Sequence, residues 1–180
     1  MTVASVAQQQ AFINSNLPLA STIAGQLGLS PSEVLGQWAL ETGWGTQSNY
    51  STLNNPGNVS PGGQLATYPT MQAGAQAYAN VLQSMGVTGL GNPQQFATAL
   101  EAKGYAGANQ QYAQSLVQTI GQVQTMAPGT TAPAYNPGGG FWSWLRSRIG
   151  DVGIIVLGGA LVLGTLLVVS KETTINLGAK

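Results

Sequence analysis

The sequence predicts a mainly α-helical domain followed by one transmembrane helix near the C-terminus. A capped helix begins at Ser30-Pro31, and an amphipathic stripe at helical spacing runs from Met71 to Met85. Residues 152–170 form an apolar run without a charged side chain. The 180 residues are enough for one domain of ordinary size with an appended segment.

The composition excludes several classes of function. Net charge is zero, and charged residues make up only 6% of the chain, against about 25% in an average soluble domain. With no basic patch, nucleic-acid binding is not expected. The chain has no Cys and no His, which excludes disulfides, thiol chemistry and a Ser-His-Asp triad. We therefore predict no metal site and no other cofactor.

The N-terminal part is predicted to form two short helices, residues 7–14 and 19–27, joined at Asn16-Leu17-Pro18. The first residues lack a basic segment followed by an apolar one, so no secretory signal peptide is predicted.

The next helix has the clearest boundaries. Ser30 is suited to the N-cap, Pro31 to the first helical position, and Glu33 has the spacing of a capping box, so we interpret Glu33 as structural. Gly43 and Gly45 are expected to end the helix after Thr42.

Residues 43–70 are rich in Gly, Asn, Ser, Thr and Pro and are predicted to form a loop, with a short extended piece at 65–68. Three further helices follow: Met71–Met85, a helix from Asn92-Pro93 to Lys103 that stops at Gly104, and Tyr112–Val123. Glu101, in the last turn of the second of these, is interpreted as a solvated helix end.

Glu41 is the strongest candidate for proton chemistry, because only Glu33 and Glu101 accompany it as carboxylates in the first 150 residues. Val34, Trp38 and Glu41 are spaced to share one helix face, and we expect the first two to face the core. Partial burial and the negative helix end would both raise the pKa of Glu41, as a general acid requires. The pattern alone also fits a half-exposed Glu at a helix end.

The C-terminal part divides by composition. A helical domain at 1–126 is followed by a Pro/Gly linker at 127–140, an aromatic and basic segment at 141–151, the predicted transmembrane helix at 152–170 and a tail at 171–180. The span would be about 28 Å long, close to the thickness of a hydrocarbon core. We therefore predict a lipid bilayer as a partner.

Residues around the span support this prediction. Arg146, Arg148 and Lys171 bracket the apolar run, and its Ala160 and Gly164 form a small-xxx-small pair typical of helix–helix association. Positive charges on the two sides nearly balance, so topology is not predicted.

Four blocks resemble a known family. Ala39-Leu40-Glu41-Thr42-Gly43-Trp44-Gly45 is similar to the signature of the peptidoglycan-cleaving N-acetylglucosaminidases of glycoside hydrolase family 73, within the lysozyme-like superfamily. The others are Asn54-Asn55-Pro56-Gly57-Asn58-Val59, Ala66-Thr67-Tyr68-Pro69-Thr70, and Gly104-Tyr105-Ala106 with Tyr112-Ala113. The resemblance covers residues 5–125.

The resemblance implies a lysozyme-like fold with a small loop or hairpin region, and peptidoglycan as the partner. It implies that Glu41 is the catalytic general acid. Trp44, Tyr68 and Tyr105 would form the aromatic wall of a sugar cleft, and Asn55 or Asn58 would supply polar contacts.

One departure from the family concerns the mechanism. Residues 42–100 contain no carboxylate, so a second acidic residue is missing unless Glu33 or Glu101 folds close. Substrate assistance by a 2-acetamido group and the single-Glu chemistry of lytic transglycosylases both remain open. We favour cleavage with one Glu and leave the product open.

The predicted anchor suggests a location. A small membrane-anchored lytic enzyme in a phage virion with an internal membrane is favoured over a bacterial envelope enzyme, partly by analogy. The alternatives to an enzyme are a module that binds peptidoglycan without cutting it and a structural membrane protein with a lysozyme-like fold.

Overall fold

The computed structural model describes residues 4–90, 92–107 and 109–131. These residues form six α-helices: α1 Val6–Leu27, α2 Pro31–Thr42, α3 Ser48–Leu53, α4 Met71–Met85, α5 Pro93–Ala102 and α6 Tyr112–Met126. Short 3-10 turns lie at Pro61–Gly63 and Pro128–Thr130. The described residues include no β-strand.

Helix α1 is continuous, so the prediction of two short helices was wrong. Pro18 lies inside it, although proline removes a backbone hydrogen bond to the residue four positions earlier. That residue, Asn14, is exposed, as is Pro18 itself, so water can satisfy the freed carbonyl. Both halves bury side chains, from Phe12 and Ile13 to Ile23 and Leu27, and this burial outweighs the local cost.

Helix α2 is the central element and packs mainly against α6 and α1. Its caps are as predicted: the Ser30 side chain accepts from the backbone N–H of Glu33, Glu33 in turn accepts from that of Ser30, and Gly43 is left-handed with φ 57°. Gly36 permits the close approach of α6, since a Cβ there would lie 2.5 Å from Cγ1 of Ile120.

The core joins all the long helices. Trp38 of α2 and Tyr78 of α4 are fully buried and meet edge to face, with ring centroids 5.8 Å apart. Val34 is fully buried too, as predicted for its face of α2. Further fully buried side chains are Ile13, Leu35, Leu82, Phe96, Leu100, Leu116 and Ile120.

The region 43–70 differs from a plain loop, because α3 and a 3-10 turn lie within it. Two backbone hydrogen bonds join its arms, Ala66 N–H to Val59 O at 3.0 Å and Tyr68 N–H to Leu53 O at 2.9 Å. The extended piece at 65–68 does not become a strand. Instead of further backbone hydrogen bonds between the two arms, the side chain of Asn55 donates to the carbonyls of Val59 and Ala66, one on each arm.

The last three helices follow the prediction, and α6 runs three residues further than expected, to Met126. The turn at Pro128–Thr130 packs on α6 and buries Thr130, so the first residues of the predicted linker are folded. Glu101 is half-buried rather than solvated, since Oε1 accepts from the N–H of Ala113 at 3.2 Å.

None of the helices in the described ranges is long and apolar enough to cross a membrane. The predictions for the C-terminal part lie outside those ranges. They are the transmembrane helix at 152–170 with its pair Ala160 and Gly164, the aromatic and basic segment at 141–151, and the tail at 171–180.

Candidate active site

A cleft of about 500 Å³ opens at the C-terminal end of α2. Its walls come from the end of α2, the loop at 58–60, the segment after α5 and the start of α6. Its lining is mostly polar or aromatic: Leu40, Glu41, Asn58, Ser60, Tyr105, Ala106, Gly107, Asn109, Tyr112 and Ser115. A concave site of this size is suited to a small ligand or a sugar unit.

Glu41 lies in the last turn of α2 and is half-buried. The hydroxyl of Tyr112 donates to its Oε1 at 2.7 Å, and Nδ2 of Asn58 donates to its Oε2 at 3.2 Å. Burial raises the pKa of Glu41 above its ordinary value of 4.5, and the bonds from Tyr112 and Asn58 oppose this only in part. Both donors are neutral, so Glu41 has no cationic partner in the cleft lining.

Glu41 is the single carboxylate in that lining. Glu33 is buried at the opposite end of α2, where Oε2 accepts from the backbone N–H and the hydroxyl of Ser30. Glu101 binds the backbone at the start of α6. These three are the only carboxylates among the described residues, so none of the others faces Glu41 across the cleft.

Two of the predicted binding residues line the cleft with Glu41. Asn58 reaches it from a left-handed backbone position, with φ 55°. Tyr105 is half-buried, its ring lies 6.3 Å from that of Tyr112 at an angle of 31°, and its hydroxyl donates to the carbonyl of Gly57.

The other three predicted binding residues lie elsewhere. Asn55 is fully buried: its Nδ2 donates to the carbonyls of Val59 and Ala66, and its Oδ1 accepts from the N–H of Val59. Asn55 thus holds the loop together and exposes no surface to a sugar. Trp44 and Tyr68 are half-buried and outside the cleft lining.

Trp44 has an unusual backbone. Gly43, Trp44 and Gly45 are all left-handed, with φ of 57°, 60° and 74°. Large side chains rarely adopt this conformation. Two contacts hold it: Trp44 N–H donates to the carbonyl of Ala39 at 2.8 Å, and the ring packs edge-on against Phe12 at 6.0 Å.

Sequence reasoning missed Tyr112, which lines the cleft, and the buried Gln37 and Tyr78, which are linked to Tyr112 by hydrogen bonds behind the cleft. Tyr112 falls in the last family-like block, but only Tyr105 was assigned from that block. Gln37 lies four residues before Glu41 on the same helix and is fully buried. The sequence could have indicated its role, because a polar side chain on a helix face that points to the core is uncommon. Tyr78 fitted a core position, and only its hydroxyl contact distinguishes it.

Comparison with known proteins defines the class. The sequence profile of the glucosaminidases, described as mannosyl-glycoprotein endo-β-N-acetylglucosaminidase, matches residues 17–125. The chain therefore belongs to the glucosaminidase family, and its predicted enzyme class, a glycosidase, is confirmed. A comparison with curated protein sequences finds no match.

Solved structures share the fold. A chain from a type VI secretion system effector–immunity complex of Pseudomonas protegens is 26% identical with a TM-score of 0.62, over 68% of this chain and 96% of that one. A peptidoglycan hydrolase of Sphingomonas sp. A1 is 25% identical with a TM-score of 0.60, over 71% and 98%. The glycoside hydrolase domain of Salmonella typhimurium FlgJ, 21% identical over 67% and 91% with a TM-score of 0.56, shares the fold.

Proposed function

We propose that this domain cleaves the glycan strand of peptidoglycan and that Glu41 is the general acid. The observation that carries the proposal is the position of Glu41 as the single carboxylate of a sugar-sized cleft, where burial raises its pKa. A carboxyl group whose pKa is raised keeps its proton to higher pH than an ordinary glutamate and can protonate a glycosidic oxygen. The similarity to a peptidoglycan hydrolase supports peptidoglycan as the substrate.

The single carboxylate favours a mechanism in which Glu41 acts twice. It first gives its proton to the leaving oxygen as the C1–O bond breaks, and the resulting carboxylate is then a base. In a transglycosylase, the C6 hydroxyl of the same sugar attacks C1 and returns its proton to Glu41, which gives a 1,6-anhydro product. In substrate-assisted hydrolysis, the 2-acetamido oxygen attacks C1, and water, deprotonated by Glu41, completes the reaction. Neither route needs a second carboxylate.

Mass spectrometry of digested peptidoglycan tests this proposal. The full chain in detergent is compared with Glu41→Gln and with the control Glu101→Gln, whose side-chain oxygen can still accept from Ala113. We expect products from the wild type and the control and none from Glu41→Gln. Anhydro ends would indicate a transglycosylase, and reducing ends a hydrolase. Cleavage by Glu41→Gln would contradict the assignment. If the wild type gives no products, a module that binds glycan without cutting it becomes the better account. The missing second carboxylate is the observation that favours this alternative.

We further propose that residues 152–170 anchor the domain in a bilayer. Their 19 uncharged residues support this, as do the flanking Arg146, Arg148 and Lys171. Liposome flotation at alkaline pH tests it: the full chain should float with the lipid, and a chain ending at Thr131 should stay at the bottom. Equal behaviour of the two chains would contradict the anchor.

The setting we favour is the internal membrane of a phage virion, where local wall opening would accompany genome delivery. The low charge, the linker composition and the single apolar run support it. Fractionation of purified virions should find the chain with the lipid. Its presence in the envelope of uninfected cells would instead indicate a cellular enzyme.

A further inference from the structure

A row of hydrogen-bonded side chains leads from the core to the cleft. The hydroxyl of Tyr78 donates to Oε1 of Gln37 at 2.6 Å, and Nε2 of Gln37 donates to the hydroxyl oxygen of Tyr112 at 3.1 Å. Tyr112 then donates to Oε1 of Glu41 at 2.7 Å. Tyr78 and Gln37 are fully buried, and Tyr112 is nearly so.

The direction of these bonds follows from proton accounting. A tyrosine hydroxyl has one proton, and a glutamine amide presents a carbonyl on one side and an NH₂ on the other. If the amide of Gln37 were turned over, it would donate to Tyr78, and the buried hydroxyl proton of Tyr78 would lose the acceptor that it has in the structure. An unsatisfied buried donor costs about 1–3 kcal/mol. The direction in the structure gives both hydroxyl protons of the row an acceptor.

This direction fixes the hydroxyl of Tyr112. Because its oxygen accepts from Gln37, its own proton points at Oε1 of Glu41. Burial and the nearby Glu41 raise the pKa of Tyr112 far above its ordinary value, so the hydroxyl stays a neutral donor. Oε1 therefore accepts the shorter bond, and among the described residues Oε2 accepts the longer 3.2 Å bond from Asn58.

We propose that Gln37 and Tyr78 are positioning residues, which hold the proton of Tyr112 on Oε1 of Glu41 so that the acidic proton resides on Oε2, beside Asn58. This inference rests on the proposed role of Glu41 as the acid. It assigns a function to two residues that lie outside the cleft lining and contact no part of a bound glycan.

Tyr78→Phe is the main test, because it removes only a hydroxyl and keeps the buried ring. Without that donor, the amide of Gln37 can turn over and accept from Tyr112, which takes the Tyr112 bond away from Glu41. The pKa of Glu41 should then rise, because a hydrogen bond that favours its ionised form is lost. Gln37→Met removes the amide that would compete for the Tyr112 proton, so Tyr112 should keep its bond to Glu41 and the pKa of Glu41 should change less than in Tyr78→Phe.

Tyr50→Phe is the matched control. Tyr50 also donates to a buried amide, Oδ1 of Asn16 at 2.7 Å, but that pair has no bond to Glu41. The control should lose comparable stability and leave the titration of Glu41 unchanged.

The readout is carbon-13 NMR of the glutamate carboxyl groups in the full chain in detergent. The chain has four glutamates, and Glu41→Gln assigns the signal. The titratable groups that face Glu41 are the hydroxyls of Tyr78, Tyr105 and Tyr112, and their raised pKa values keep them neutral through the carboxyl range. A shift in Tyr78→Phe but not in Tyr50→Phe supports the proposal. Identical titration of Glu41 in Tyr78→Phe and wild type overturns it.

Kinetics separates this inference from the proposed function. In Tyr78→Phe we expect kcat to fall about tenfold, the scale of one hydrogen bond to a charged group, with KM unchanged. The alkaline limb of the pH profile should move to higher pH. The NMR titration decides the positioning even if the wild type cleaves no peptidoglycan, in which case only the proposed function fails.

Discussion

The ring of Tyr78 packs directly against the backbone of Gly57: a Cβ at position 57 would lie 2.4 Å from Cδ2 of the ring. The carbonyl of Gly57 accepts from the hydroxyl of Tyr105, and the next residue, Asn58, donates to Glu41. Tyr78 in the core therefore positions the loop that forms one wall of the cleft.

Gly57→Ala should both destabilise the domain and impair the cleft. The added methyl group has no room against Tyr78, so we expect a loss of about 1–3 kcal/mol and a displaced Asn58. Urea denaturation and peptidoglycan cleavage measure the two effects. Gly25→Ala is the control, because nothing lies within 4 Å of a Cβ there, and a helical alanine should be neutral or stabilising. Normal stability of Gly57→Ala would show that the loop moves freely.

Glu41→Gln should alter how stability depends on pH. Burial raises the folded-state pKa of Glu41 above 4.5, so the folded protein binds a proton that the unfolded chain releases. The wild type therefore loses stability as pH rises from about 4.5 through the folded-state pKa. The variant lacks this loss, so its Tm relative to wild type should increase across that window. Glu33 is also buried with a raised pKa, but it is present in both proteins, so its contribution to the Tm difference cancels. A Tm difference that is constant with pH would contradict the raised pKa of Glu41.

Asn55→Ala should act on folding rather than on sugar contacts. Its side chain makes three hydrogen bonds to the loop backbone, and all are buried or partly buried. We expect a loss of about 2–4 kcal/mol in the free energy of unfolding. The exposed Asn14→Ala serves as the control and should change stability little. If Asn55→Ala keeps its stability but binds glycan more weakly, Asn55 contacts the sugar, as the family resemblance implies.

Tyr105→Ala should weaken glycan binding more than folding. The ring lines the cleft beside Tyr112 and is half-buried, so its removal takes away sugar-contacting surface. In a Glu41→Gln background, which prevents turnover, calorimetry with a soluble glycan fragment should show a Kd raised about tenfold. Tyr105→Phe keeps the ring, loses only the bond to Gly57 and should bind nearly as the parent does. A large fall in Tm with unchanged affinity would make Tyr105 a core residue.

Local signals predicted the helices well where they were strong. Ser30, Pro31 and Gly43 mark the ends of α2 because caps satisfy backbone groups within a few residues, and the stripe from Met71 to Met85 marks α4 because its period matches one buried face. Pro18 misled the prediction, because the burial of both halves of α1 is a tertiary effect that a local rule does not contain.

The site was predicted unevenly for the same reason. Glu41 was identifiable from the sequence, because it is one of three carboxylates in the first 150 residues and lies in a family-like motif. Asn55 and Asn58 could not be separated, because both are loop asparagines three residues apart. Only the folded loop buries Asn55 and places Asn58 in the cleft lining.

The sequence by itself determined the helical class, the capped helix that carries Glu41 and the scarcity of other carboxylates, since each depends on residue type and near-neighbour spacing. Only the tertiary structure decided what surrounds Glu41. Tyr112 is 71 residues away along the chain and Tyr78 is 41 residues from Gln37, and such contacts form only when α2, α4 and α6 pack together. Burial in that packing sets the direction of the hydrogen bonds and the pKa of Glu41, which no local pattern encodes.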